Sequence, residues 1–330
     1  RNPKGSQEKK GSNLIYFGPG VHNLPNDTLF VPSGTTVYID GGARVYGNIF
    51  TEGAHDVNIF GRGEVHPDGR GAGVWVRRSK NVRIDGIVVS QLPIGQCDSV
   101  ELTNVKSISY YGWGDGMDVF SSSNVILDGV FCRNSDDCAA VYASTQGFKG
   151  GSNNVLVKNA TLWADVAHPI NIGGHGDPNG MDTVQNVTFR NIDILDQAEK
   201  QIDYQGCLAI NPGDNTLVRN ITFENIRIED FRNGQLVNFR ISFNPKYCVS
   251  TGRGIQNVLV KDVTYNGSGE NLSIIAGYDE NHKISGIRFV NLVVNGRKIT
   301  DDMPGKPKWY KTGDMAGIFV GEHVENLSFE

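Results

Sequence analysis

The chain has 330 residues, of which 41 are glycine and 12 proline, too many backbone breakers for a helical bundle. Hydrophobic residues at 38% against 20% charged exclude wholesale disorder, and no run approaches the roughly 18 consecutive apolar residues of a membrane span. A formal net charge of -5 offers no basic face for nucleic acid.

Taken from the start, residues 1–13 are polar and rich in Lys and Gly, and read as a flexible lead-in or the end of an upstream linker. The first residue is Arg rather than Met, as expected of a processed or partial polypeptide with room for a further domain ahead of it. From residue 14 onward one short phrase recurs: Asn, an aliphatic residue, any residue, then an aliphatic or aromatic one. Clear copies begin at Asn81, Asn104, Asn124, Asn154, Asn186, Asn220, Asn257 and Asn326, with looser ones at Asp56 and Gly286. The steps between copies drift from 20 to 40 residues and average 30. Within a copy the alternation has period two: in Asn186 to Ile194, Val187, Phe189, Ile192 and Ile194 are expected to point inward on both sides of a one-residue turn. Short strands, Gly and Asn corners and a repeat of this length predict an all-β, single-stranded, right-handed parallel β-helix of about ten coils, forming one domain over 14–330. Asn suits the corners because it tolerates the left-handed conformation and its amide can bond to the same position one coil away. A β-propeller would need four strands per repeat and steadier spacing; a sandwich has no reason to repeat a phrase.

In such a solenoid, residues one coil apart in sequence stack about 4.8 Å apart in space. The densest polar stretch, Gly112 to Asp118, is followed by Arg133 to Cys138. Asp115 and Asp136 lie 21 residues apart, about one coil, so Asp136 is expected above Asp115 with Asp137 beside them. Crowded carboxyls raise the pKa of at least one member, which stays protonated as a general acid while its neighbours activate water. Glycosidic cleavage needs that division of labour. Any single Asp beside Gly, Asp118 included, is more simply a turn residue; it is the constellation that points to catalysis.

Asp-Gly followed some twenty residues later by Asp-Asp-Cys resembles the polygalacturonases of glycoside hydrolase family 28, and the same order of acids resembles the dextranases and isopullulanase of family 49. The resemblance implies a pectin-lyase-like solenoid and inversion at the anomeric carbon, with Asp136 as proton donor and Asp115 and Asp137 activating the water. It also implies a histidine on the next coil. His168, followed by Pro-Ile-Asn-Ile-Gly173, reproduces the family context better than Gly174-His-Gly176, so His168 is assigned to the pocket and His175 to its rim. Polygalacturonases carry an Arg-Ile-Lys segment one coil later that grips the substrate carboxylate, whereas Gly206 to Asp214 has no cation. That departure favours a neutral glucan over a galacturonan, the polygalacturonase-type activity being the alternative. Arg240 and Lys246 in the following coil are candidate sources of charge. Trp113 and Tyr204 are candidate stacking platforms, and Asp118 joins the expected substrate-binding set.

Five Cys without a Cys-x-x-Cys pair indicate neither a zinc site nor a disulfide scaffold; Cys132 and Cys138 are expected either to pair or to be buried thiols. No metal and no other cofactor is expected. The expected partner is a polysaccharide or oligosaccharide, and the expected location is secreted or periplasmic. Two further readings carry less: a polysaccharide lyase, which would need a cationic base, and a non-catalytic carbohydrate-binding β-helix of the adhesin or tailspike kind.

Overall fold

The computed structural model describes residues 13–268 and 271–330. The expected lead-in therefore lies outside the described residues, except for Asn13, whose amide donates to the Gly34 carbonyl at 3.3 Å. Every second residue of Ala43–Glu52 is buried, and Val187, Phe189, Ile192 and Ile194 are all 0% exposed, with the corner between them made by Asn191 at φ 56°. Alternation of this kind suits a strand with one face on a core and one outside. Each strand then lies parallel on its counterpart in the next coil; among the described residues the antiparallel exception is Ile284–Val294 with Arg297–Ile299.

The product is a right-handed parallel β-helix. One inward row, Thr51, Val76, Ile94, Val119, Val141, Ile172, Ile210, Phe239, Ile275 and Val320, threads ten successive coils in register, and Gly20–Phe30 is laid on the first of them. The interior is stacked aromatic as well as aliphatic toward the C-terminal end. Phe189, Phe223, Phe239, Phe289 and Phe329 follow one another at ring separations of 5.9, 6.0, 6.5 and 4.8 Å.

The repeated Asn makes the corners. From Asn81 to Asn326, every Asn of the clear copies sits at φ between 52° and 57°. Asn tolerates this left-handed region because its short amide finds local partners, and here the partners are other coils. Asn154 donates to Asn124 at 2.7 Å, Asn220 to Asn186 at 3.1 Å and Asn257 to Asn220 at 3.2 Å. A second ladder runs through Asn159, Asn191 and Asn225 at 2.7 and 3.3 Å. All five cysteines are buried free thiols, so Cys132 and Cys138 do not pair.

Candidate active site

The strand Met117–Phe120 lies on Ala139–Tyr142, which lies on Ile170–Ile172, then on Leu208–Ile210 and Val237–Arg240. The acids stand in the turns just ahead of the first two strands. Their approach requires Gly116, because a Cβ there would come within 2.2 Å of the Cys138 carbonyl oxygen. Met117 is level with Ala139, an offset of 139 − 117 = 22, and the Gly116 N–H donates to the Asp137 carbonyl at 2.7 Å. Asp137 (115 + 22), rather than Asp136, is therefore level with Asp115. The coil is one residue longer than the 21-residue spacing assumed from sequence. All three acids still converge: one carboxylate oxygen from each lies within 4.8 Å of the others.

Their surroundings differ sharply. Asp137 is buried and saturated. Its Oδ1 accepts from the His168 backbone N–H at 3.1 Å and from His168 Nδ1 at 2.6 Å, and its Oδ2 accepts from the Tyr142 hydroxyl at 2.7 Å and Asn171 Nδ2 at 2.8 Å. Burial opposes charge on this carboxylate, but His168, Tyr142 and Asn171 outweigh it and hold the pKa at about 2. Asp136 has no such shell. Burial, and then the charge of Asp137, pushes its carboxyl up to about 7. Burial followed by Asp137 and Asp136 holds Asp115 well above the usual carboxylate range.

His168 is the counter-charge of the cluster. Burial alone would discharge its ring, but the Asp137 carboxylate reverses that and raises the pKa to about 9. Geometry agrees: Nδ1 faces the carboxylate and Nε2 faces the Tyr204 carbonyl, so both nitrogens meet acceptors and both carry protons. A doubly protonated imidazole cannot serve as a base; it fixes Asp137.

The other expected residues divide. Asp118 is 5% exposed and its Oδ1 has no hydrogen-bond partner among the described residues. Burial and then Asp115 push its carboxyl well above the usual range. It is thus packed beneath the acids rather than presented to a ligand, contrary to expectation. His175 lies edge-on to the Tyr142 ring at 5.0 Å, and burial lowers its pKa. Trp113 is 82% exposed two residues before Asp115. Tyr204 meets the site through its carbonyl, while its ring packs edge-on against Tyr247 at 5.2 Å. Arg240 pairs with Asp203 at 2.6 Å, and Lys246 donates to Gln201 Oε1 at 3.1 Å and lies 4.7 Å from the Tyr247 ring.

Sequence reasoning missed Tyr142 and Asn171, which supply half of the Asp137 shell. Asn171 sits inside the His168 motif, three residues on, which was the available signal; Tyr142 is a buried aromatic on a strand of buried residues, and nothing in its local sequence marks it. The cation-free segment proves to be Leu208–Ile210, stacked on Ile170–Ile172, so Ala209 lies level with Asn171.

Residues 72–302 match the model for glycosyl hydrolases family 28. An exopolygalacturonase of Cochliobolus carbonum is 24% identical over 271 residues, covering 69% of this chain and 58% of its own length. The chain thus spans little more than half of that relative. Among solved structures, the family 28 exopolygalacturonase of Yersinia enterocolitica superposes with a TM-score of 0.67 at 13% identity, over 95% of this chain and 72% of that one. Dex49A from Penicillium minioluteum superposes at 0.64 with 15% identity, over 96% and 60%. At these identities the two structures speak to the fold alone.

Proposed function

The chain belongs to glycosyl hydrolases family 28, and from that premise we propose that it hydrolyses a galacturonan by single displacement with inversion. The observation that carries the mechanism is the split within one cluster: Asp136 poised at about 7 beside Asp137 held at about 2. Asp136 gives its proton to the departing glycosidic oxygen. Water adds to the anomeric carbon from the opposite face, and its proton passes to the Asp115–Asp137 pair. Asp137, with both oxygens already bonded by two donors each, is a weak base that does not bond the water; its fixed negative charge favours a proton arriving on the neighbouring Asp115, which takes it. The nearest oxygens stand closer than the roughly 6.5–9.5 Å between the carboxyls of a two-acid inverting site. With three acids the water is held beside the Asp115–Asp137 pair rather than between acid and base.

The polygalacturonase relative supports the pectic substrate over the neutral glucan that the missing cation favoured. A polymeric substrate also suits a secreted or periplasmic location. The test is polygalacturonate digestion by wild type and Asp136→Asn, with the product anomer followed by NMR. Release of the inverted anomer by wild type alone supports the reading; cleavage of dextran but not polygalacturonate, or undiminished activity in the variant, refutes it.

A further inference from the structure

If galacturonan is the substrate, its carboxylates need cations, and none stands at Ala209 or Asn211. The coil register shows where cations do stand. Tyr142, whose hydroxyl bonds Asp137, belongs to one outward row. In one direction the row passes through Phe120 and Gly95 to Arg77. In the other it passes through Gly173, whose N–H donates to the Val141 carbonyl, and Asn211, whose N–H donates to the Ile172 carbonyl, to Arg240, the residue after Phe239. Arg77 and Arg240 each lie three coils from Tyr142, about 14 Å, and so about 29 Å from one another. No other residue on this stretch of the row is charged; the residues between the two arginines are buried, with Phe148 lying over Gly95 and Phe120, so a ligand that reaches Arg77 passes outside Phe148.

At the Arg77 end the cations outnumber the carboxylates, and at the Arg240 end two cations share one loop with Asp203 and Glu199. Arg77 and Arg78 share the single Glu52 carboxylate at 2.5 and 3.1 Å, and Arg77 is held over the Phe50 and Trp75 rings at 4.9 and 5.9 Å. Arg240 is paired with Asp203 at 2.6 Å, with Lys246 nearby on Gln201 of the same loop. Arg77 and Arg240 are 32% and 29% exposed, and each spends one nitrogen on its carboxylate. Guanidinium N–H groups therefore remain that can fork onto a second carboxylate.

We propose that Arg77 and Arg240 are outer anchors for an anionic chain lying along the coil axis, one on each side of the acids. Charge is then recognised at two positions flanking the acids instead of beside the cleaved bond, and a chain must cover six coils to engage both anchors. This rests on the galacturonan reading above.

The test uses the full chain as wild type, Arg77→Gln, Arg240→Gln and the double variant, with unchanged circular dichroism and melting as the folding control. Monodisperse galacturonate oligomers of increasing length are assayed at low and high salt. Wild-type kcat/KM is expected to climb until the oligomer spans both anchors. Each variant loses up to about fivefold on long chains, through KM with kcat unchanged, and nothing on short ones. The deficit shrinks at high salt, and Arg→Lys recovers part of it. If wild type cleaves galacturonan and the variants match it at every length, or fall equally on short and long oligomers, the anchors are refuted and the substrate stands. A wild type inert on galacturonan overturns both.

Discussion

Replacing His168 with glutamine removes the cation bonded to Asp137 while keeping an amide that can donate. The cost is that of breaking a buried ion pair, about 3–5 kcal/mol. At about 1.36 kcal/mol per pKa unit, this lifts Asp137 by roughly two to four units, from about 2 to about 4–6. An acid limb should therefore enter the kcat/KM profile in that range, where wild type is flat with respect to Asp137. Stability follows the same logic. Asp137, held low, stabilises the fold above its unfolded value near 3.9 and loses that contribution as pH falls through about 2. His168, held high, stabilises it below its unfolded value near 6.5 and loses that contribution as pH rises through about 9. Both act fully between about pH 4 and 6.5, so the stability gap between wild type and variant should be widest there and narrow on either side. Melting temperatures and kcat/KM are measured across pH. Superposable pH–rate profiles, with a stability gap independent of pH, would show that His168 only fills space.

Asp136→Asn should lower kcat by about a hundredfold to ten-thousandfold while leaving oligomer binding intact, read by calorimetry. Wild-type activity should fall as pH climbs through about 7, where Asp136 ionises. At Asn191, φ 56°, substitution by Ala adds a left-handed penalty of about 1–2 kcal/mol to the lost ladder bonds, and Gly avoids that penalty; Asn191→Ala should therefore unfold at lower denaturant than Asn191→Gly. Phe223→Ala, in the middle of the aromatic stack, should cost about 3–5 kcal/mol in the same assay.

The fold was readable because two local devices repeat: period-two burial, and an Asn whose backbone and amide both fit a corner. Each operates within a few residues, so Val187, Phe189, Ile192 and Ile194 could be oriented from the sequence alone. The three acids were legible because stacking converts sequence period into proximity. The register was read one residue short because turn length is set by packing that no local pattern reports. Asn171 escaped notice for a related reason, since it acts across a coil, 171 − 137 = 34 residues from the carboxylate it serves; Tyr142 is only 142 − 137 = 5 residues away in the same coil, but its hydroxyl folds back on Asp137 from a strand whose local pattern reads as core. Arg77 is further still, three coil steps of unequal length from Tyr142.

That inequality is itself informative. Along the sheet of Asn corners the steps from Val125 to Val155, Val187, Ile221 and Val258 are 30, 32, 34 and 37 residues, against 18 and 25 from Val82 to Val100 and on to Val125. Over these steps the strands hold their register apart from one slip between Leu162 and Trp163, so nearly all of the extra chain lies in the connections. Doubling a surface loop costs only about 0.6 kcal/mol in closure entropy, far less than disturbing a stacked Phe. A solenoid built this way separates inheritance from innovation: its interior copies the previous coil, while its connections can be rewritten by insertion. Changes of substrate in such a chain should therefore be recorded first as changes of length, and only later as changes of residue.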